Sequence, residues 1–240
     1  MNIAAVDLFC GIGGLTHGLI EAGIPVVAGI DIDNTCKHAY EANNDSDFIH
    51  TDITSLGSNK INNLYPEDCI KVLVGCAPCQ PFSSPTQKDK SRSLDEKWGL
   101  LYSFLRLISE VQPDIVSAEN VPAITRSQVF LDFVTGLEAL GYNLSWNKIY
   151  CPDYGVPQSR KRLVLLASKL GPIDVIPATH TKQEYRTVRD VIGDMEAITA
   201  GEVSPSDHLH RTSRLGDINL RRIRQSRQGG TWKDWDEALI

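Results

Sequence analysis

The stretch IAAVDLFCGIGG, residues 3–14, decides the fold class because a short apolar run leads directly into three glycines. The run has the length of a buried strand, and the glycines permit a tight turn. Residues 15–22 then place apolar side chains at helical spacing until Gly23. This order of strand, turn and helix is typical of the first unit of an α/β domain.

The same alternation continues along the chain. Strands are predicted at residues 25–30, 71–74, 115–118, 142–150 and 163–167, and helices at 34–43, 100–111 and 129–140. Asn34 is the predicted N-cap of the second helix. The pattern predicts an α/β fold with a mostly parallel, doubly wound sheet. Residues 1–175 are expected to form a cofactor-binding and catalytic domain, and residues 176–240 a C-terminal extension.

Composition restricts the class of protein. The chain has 240 residues, of which 42% are hydrophobic and 22% charged, as expected for one globular domain with a small appendage. No apolar run approaches the ~20 residues of a membrane helix, and the N-terminus lacks the features of a signal peptide. We therefore expect a cytoplasmic protein without a membrane partner. Six scattered cysteines indicate reduced thiols rather than a disulfide framework.

The distribution of charge is uneven. The net charge is -6, yet residues 205–233 contain seven basic residues against two acidic ones. Such a block either contacts phosphates or forms a solvated basic helix face, and the sequence leaves both interpretations open.

The glycine-rich loop suggests a nucleoside ligand. Asp31 ends the second predicted strand, 20 residues after Gly11, where an acid suits a ribose diol. The spacing is G-x-G-G rather than G-x-G-x-x-G, which disfavours a dinucleotide. S-adenosylmethionine is a nucleoside with a positive sulfonium and no phosphate, so it fits the acidic N-terminal part of the chain better than a dinucleotide does. A tight turn without a ligand is the alternative.

The stretch GCAPCQPFSS, residues 75–84, contains a C-x-x-C spacing. A zinc site is disfavoured because no second C-x-x-C exists and His208 and His210 are distant and oddly spaced. A redox pair fits better than zinc but is weakly supported, because residues 80–83 have no role in thiol exchange. The remaining interpretation is a reactive thiolate at Cys79, beside a small buried residue at Cys76.

Two further motifs follow at strand ends. Glu119, in E-N-V-P, is placed to act on a bound base or sugar, although a helix-capping role would also fit. Arg160 and Arg162 are two residues apart at the start of a strand, so their side chains point the same way. A surface patch is the alternative for these arginines.

Together these motifs resemble the DNA (cytosine-5) methyltransferase family. D-L-F-C-G-I-G-G, D-I-D, T-D-I-T, A-P-C-Q-P-F-S, E-N-V-P and Q-S-R-K-R occur in the family's order. The resemblance implies a Rossmann-like, S-adenosyl-L-methionine-dependent methyltransferase domain acting on duplex DNA, without a metal. The implied cofactor residues are Asp7, Phe9, Gly11, Gly13, Asp31, Ile32, Asp52, Ile53 and Pro78. The implied catalytic residues are Cys79 as nucleophile, Glu119 on the base edge, and Arg160 and Arg162 on base and phosphate.

Chemistry accounts for these residue types. Carbon 5 of cytosine is a poor nucleophile, and addition of a thiolate at carbon 6 activates it. A protonated Glu119 would donate to ring N3 and stabilise the developing charge. The base must leave the duplex to be reached, and residues 83–98 are expected to be a mobile loop that closes over DNA.

The chain departs from the family at its C-terminus, where members of the usual length continue into a target-recognition region. We expect a catalytic subunit that needs a second polypeptide carrying that region, with truncation as the rival explanation. A transfer-RNA cytosine methyltransferase and a non-catalytic fragment that binds cofactor or partner are the competing functions. An NAD-dependent oxidoreductase conflicts with the glycine spacing.

Overall fold

The computed structural model describes residues 2–78 and 94–240, without the side chains of residues 94–98. Contacts within the chain divide it into two compact units, Met1–Arg186 and Thr187–Ile240. Each unit is described by itself. The functional division at residue 175 stays a prediction.

The first unit is built on a seven-stranded sheet. Its strands are β1 Asn2–Leu8, β2 Val26–Asp31, β3 Asp47–His50, β4 Cys69–Gly75, β5 Ile115–Asn120, β6 Asn143–Tyr150 and β7 Lys161–Ser168. They lie in the order β3-β2-β1-β4-β5-β7-β6. β7 is antiparallel to both of its neighbours, β5 and β6, whereas the other six of these strands run in one direction. The predicted mostly parallel sheet is confirmed.

Helices cover both faces of this sheet. They are α1 Gly14–Glu21, α2 Lys37–Asn43, α3 Ser58–Asn62, α4 Leu94–Val111 and α5 Gln128–Ala139. Successive residues of a strand point to opposite faces. Val6 and Leu8 pack with residues of α4 and α5, such as Phe104 and Phe133, whereas Ala5 packs against α1. The doubly wound arrangement is therefore confirmed.

The structure differs from the prediction in three details. The helix expected at residues 34–43 begins as a 3-10 turn, and its N-cap is Asp33 rather than Asn34, because the Asp33 carboxylate accepts the Thr35 N–H at 2.9 Å. The four-residue strand β3 was not predicted. Helix α4 begins at Leu94, so the last residues of the predicted mobile loop are helical. The remainder of that loop lies outside the described residues.

The strand order places the ligand-binding edge. After β1 the chain proceeds outward through β2 and β3, and then returns to add β4 on the other side of β1. Ligands of such sheets bind beyond the carboxyl ends of the strands at this switch point. Because β7 is antiparallel, its first residues lie at the same edge. The motifs that follow β1, β2, β3, β4 and β5, and those that precede β7, therefore meet there.

The second unit is smaller. It contains α6 Val188–Ile192, α7 Asp217–Gln225 and two 3-10 turns, Trp232–Asp234 and Glu237–Leu239. Leu239 is buried, whereas the side chains of both helices are mostly exposed. Throughout the described parts of the chain, no helix is long and apolar enough to cross a membrane.

Candidate active site

Gly11 and Gly13, in the loop after β1, have different structural roles. Gly11 and Gly13 both have positive φ, at 52° and 90°. A Cβ atom on Gly13 would lie 2.5 Å from Asn44 Nδ2 and 2.8 Å from Tyr40 Cδ2, whereas one on Gly11 would meet nothing within 4 Å. Gly13 therefore lets the wholly buried Tyr40 pack against the loop. Gly11 faces open space, as a ligand-binding loop requires.

Alanine substitution distinguishes these two roles. We expect Gly13→Ala to lower the free energy of unfolding by about 3 kcal/mol, since it combines a strained backbone with overpacking. Gly11→Ala should cost only about 1 kcal/mol, the strain of the left-handed conformation. Thermal unfolding of both variants without ligand measures the difference. Equal losses would contradict the packing role of Gly13.

Asp7 is buried at the end of β1, with 1% of its surface exposed. Thr16 Oγ1 donates to Asp7 Oδ2 at 2.8 Å and lies 3.1 Å from the Tyr40 hydroxyl. Asp7 Oδ1 has no hydrogen-bond partner among the described residues. Burial raises the pKa of Asp7 to about 7, although the hydrogen bonds from Thr16 oppose this change. The site therefore contains a buried carboxyl with one free oxygen.

This carboxyl makes stability depend on pH. Its pKa rises from 3.8 in an exposed group to about 7 in the folded protein. Between these values the folded state binds more protons than the unfolded state, so stability falls as pH increases. We expect wild type to lose about 3 kcal/mol more than Asp7→Asn between about pH 5 and pH 8. Denaturant unfolding across this range measures both proteins, and parallel curves would contradict the expectation.

Asp31, the last residue of β2, lies at the same edge of the sheet as the glycine loop. Asp31 Oδ2 accepts the Gly11 N–H at 2.8 Å, and Asp31 Oδ1 accepts the Asp33 N–H at 2.9 Å. These bonds tie the glycine loop to the end of β2. Ile32, beside Asp31, is 64% exposed and offers apolar surface at this edge.

The other predicted cofactor residues differ in exposure. Asp52 Oδ1 accepts the Thr54 N–H at 2.8 Å, which fixes the turn after β3. The Ile53 side chain is buried in the core, so only its backbone is left for a ligand. Phe9 is half-buried and has a positive φ of 59°, and Pro78 is exposed. The open space at Gly11 and exposed Ile32 fit a nucleoside such as S-adenosylmethionine.

A carboxylate–guanidinium pair stands at the end of β5. Arg162 Nε lies 2.6 Å from Glu119 Oε1, and their side chains are 17% and 35% exposed. The register explains this pair, because Glu119 is opposite Val164 of β7 and Arg162 lies two residues away on the same face. The antiparallel direction of β7 thus brings Arg162 to Glu119.

Burial and neighbouring groups act on the Glu119 carboxyl in opposite directions. Burial raises the pKa of the Glu119 carboxyl above its ordinary value, against the lowering effects of Arg160 and of a hydrogen bond with Cys76. The pKa of Cys76 is raised to about 12, chiefly by burial, so its thiol is protonated at neutral pH and serves as the donor. Cys76 is half-buried. The sequence predicted only a small buried residue at Cys76, whereas the structure places its thiol in contact with the predicted catalytic residue Glu119.

Asn120 is a site residue that sequence reasoning missed. Its Nδ2 donates to the Ala77 carbonyl at 3.0 Å, and its Oδ1 accepts the Val121 N–H at 2.8 Å. The side chain therefore fixes the segment that leads from β4 toward Cys79. Cys79 itself lies outside the described residues. The signal in the sequence was the amide directly after Glu119, at a strand end.

The structure brings Glu119, Arg160 and Arg162 to one edge of the sheet, next to the segment before Cys79. Arg160 is exposed, and its positive charge acts on Glu119. Within residues 2–78 and 94–240, no group of three or more His, Cys, Asp or Glu side chains is arranged to hold a metal ion.

Residues 3–236 match the family of C-5 cytosine-specific DNA methylases. The chain belongs to this family. Family membership confirms the resemblance that the motifs indicated. This DNA methylase is 53% identical over 240 residues to the type II methylase M.HgiDII of Herpetosiphon aurantiacus, covering 99% of the chain and 67% of that relative.

A second relative is more distant. The type II methyltransferase M1.HphI of Haemophilus parahaemolyticus is 29% identical, with 100% of the chain and 65% of the relative covered. The DNA methylase chain thus spans about two thirds of the length of these two relatives.

Solved structures show the same fold. The chain superposes on a prophage-encoded E. coli protein with a TM-score of 0.66, at 24% identity, covering 92% of this chain and 64% of that one. The Dnmt2 methyltransferase of S. pombe gives a TM-score of 0.59, also at 24% identity, covering 85% and 58%. These likenesses confirm the methyltransferase-type α/β fold of the DNA methylase.

Proposed function

We propose that this DNA methylase transfers a methyl group from S-adenosyl-L-methionine to carbon 5 of cytosine in duplex DNA, through a covalent Cys79 adduct at carbon 6. The observation that carries the proposal is the Glu119–Arg162 pair. It lies at the same sheet edge as the glycine loop and beside the segment that leads to Cys79. Family membership and this edge together favour cytosine chemistry.

The cofactor residues are proposed from the sheet edge. When bound, S-adenosylmethionine supplies an electrophilic methyl group on its positively charged sulfur. Asp31 would hold the ribose hydroxyls, and Ile32 would provide apolar surface beside the adenine. Gly11 lets the ligand approach the backbone closely, because nothing lies within 4 Å of the position of its missing Cβ. The Asp7 carboxyl is buried and accepts a hydrogen bond from Thr16, so it supports the start of α1 rather than contacting the ligand.

The chain's own groups then act on cytosine. The Cys79 sulfur forms a bond to carbon 6, which raises the electron density at carbon 5. A protonated Glu119 donates to ring N3 and stabilises the charge that develops in the ring. Arg162 fixes the orientation of Glu119 through Oε1. Once carbon 5 carries the methyl group, its proton passes to a water molecule and the double bond to carbon 6 forms again. The electron pair of the sulfur–carbon bond leaves with Cys79 as a thiolate, and the N3 proton returns to Glu119.

Arg160 is proposed to act on the substrate rather than on the fold. Its side chain is exposed, whereas Arg162 is partly buried against Glu119. An exposed guanidinium beside the base-binding edge suits a phosphate or the base itself, since its planar fork matches such acceptors.

The product of the reaction tests the proposal. Unmethylated genomic DNA supplies every sequence context, so the recognition site need not be known. With trideuteromethyl-labelled cofactor, we expect the label in 5-methyldeoxycytidine after digestion and mass spectrometry. Label on an exocyclic amine, or in transfer RNA offered in parallel but not in DNA, would contradict the proposal. The need for a second polypeptide stays a prediction, which addition of such a chain to this assay would test.

A further inference from the structure

Three arginines near α7 have exposed side chains. Arg221 and Arg224 are three residues apart and lie on one side of the helix, and Arg227 follows just beyond its end. We define these three residues as the arginine patch. None of the ion pairs found among the described residues involves them. The patch therefore presents three positive charges to the solvent, without an ion pair to any acid that the structure describes.

The remaining arginine of α7, Arg222, has a structural role. Arg222 Nε donates to the Leu239 carbonyl at 2.7 Å, and Arg222 Nη1 donates to Asn219 Oδ1 at 3.2 Å. Its guanidinium also lies 5.5 Å from the centre of the Trp235 ring. Packing of the second unit thus accounts for Arg222, whereas it accounts for none of the arginines in the patch.

Nearby acids do not neutralise the patch. Asp234 Oδ2 accepts the Thr231 N–H at 2.6 Å, and Asp236 Oδ2 accepts the side-chain amide of Gln225. Both carboxylates are used in local turns although three guanidinium groups are close in sequence. The helix macrodipole explains a preference for a cation in the last turn, worth about 0.3–1 kcal/mol, but it does not require three.

Basic groups of the first unit are more often engaged internally. Arg106 bonds Glu110 and three backbone carbonyls, Arg162 pairs with Glu119, and Lys71 donates to Asn62. A chain with a net charge of -6 repels a polyanion unless it presents a local positive surface. The patch supplies such a surface in the second unit.

We propose that the arginine patch binds the phosphate backbone of duplex DNA, independently of base sequence. The inference rests on the proposed function, because that function makes duplex DNA the substrate. Guanidinium groups match phosphate oxygens in charge and in hydrogen-bond geometry. Contacts to phosphate position a protein on the duplex without reading its sequence.

The salt dependence of DNA binding tests the proposal. The patch variant changes Arg221, Arg224 and Arg227 to Gln. The matched control changes three exposed lysines of the first unit, Lys37, Lys148 and Lys182, to Gln, so both variants lose the same charge. Binding of the full chain to a fluorescent duplex of mixed sequence is measured from about 50 to 200 mM salt. The patch variant should bind more weakly, and its log–log salt slope should be smaller by about 2–3 than that of wild type.

The control should keep the wild-type slope. A patch variant with the wild-type slope would overturn the proposal in favour of a solvated face or a protein-docking face. An equal loss in the control would overturn it in favour of a general charge effect. Unchanged thermal midpoints and cofactor affinities exclude misfolding as the cause.

The Cys79→Ser variant separates this proposal from the proposed function. It should lose methyl transfer and keep the wild-type salt slope. If wild type binds DNA through the patch but transfers no methyl group to cytosine, the proposed function fails while the patch stands. If wild type methylates cytosine and the patch variant keeps its slope, the patch fails alone.

Discussion

Cys79→Ala is expected to reduce methyl transfer to cytosine by at least about 10⁴-fold, since it removes the proposed nucleophile. Without a sulfur bond at carbon 6, carbon 5 has no means of attacking the methyl group. Binding of the cofactor should change little, because the residues that tie the glycine loop together are Gly11, Asp31, Thr16 and Tyr40. Single-turnover methylation and equilibrium binding of S-adenosylhomocysteine measure the two effects separately.

Cys76→Ala is the matched control for this prediction. It removes a thiol of the same C-x-x-C spacing that donates to Glu119 rather than one that attacks the base. We expect it to keep most of the activity, with a further rise in the pKa of Glu119 because a stabilising donor is lost. If Cys76→Ala were as inactive as Cys79→Ala, or Cys79→Ala retained activity, the assignment of the nucleophile would be wrong.

Glu119→Ala has the second largest expected effect, a loss of about 10²–10⁴-fold in the rate of methyl transfer. The change removes the donor to ring N3 and leaves the partly buried Arg162 without its partner. Glu119→Gln should retain more activity, since a neutral amide donates a hydrogen bond to N3 as a protonated carboxyl does. Single-turnover rates of the two variants measure the difference.

The pH dependence of the methylation rate separates the role of Glu119 as a proton donor from its structural pairing with Arg162. Burial raises the pKa of Glu119, so its protonated form persists to higher pH than that of an ordinary carboxyl. The contribution of Glu119 to the rate should be full below this pKa and fall as pH rises through it. Glu119→Gln should lack that fall, because an amide does not titrate. An identical fall in wild type and Glu119→Gln would show that Glu119 is not the titrating donor.

Local signals in the sequence predicted the parts of the site that follow single strands. The glycines after β1, Asp31 after β2 and Glu119 in β5 were placed correctly at one edge. A buried apolar run fixes a strand, and in a parallel sheet every carboxyl end meets the same edge. These positions therefore follow from local pattern plus one rule of topology.

Contacts across the sheet could not be predicted in the same way. Residues 163–167 were predicted as a strand, but nothing in them shows that β7 runs against β5. This direction places Arg162 2.6 Å from Glu119. The hydrogen bond of Cys76 to Glu119 also depends on the alignment of two strands that are distant in sequence. Pairing of this kind is decided by tertiary packing rather than by local propensity.

The smaller errors concern a helix cap and short elements, for which the local sequence offers more than one solution. Asp33 and Asn34 are both good helix caps, and the geometry of the preceding turn decides between them. Strand β3 has only four residues, so its apolar pattern is too short to recognise. The second unit has few buried side chains, and its helices are short, with five residues in α6 and nine in α7.

The most direct measurement is covalent trapping on DNA in which 5-fluorocytosine replaces cytosine. Fluorine at carbon 5 cannot leave as a proton does, so an adduct that has accepted the methyl group cannot release the enzyme. With S-adenosylmethionine and an amplified duplex, we predict a denaturation-resistant complex whose cross-linked peptide maps to Cys79, and no complex with Cys79→Ser. A complex that persists in Cys79→Ser, or a cross-link at another residue, would contradict the proposed mechanism.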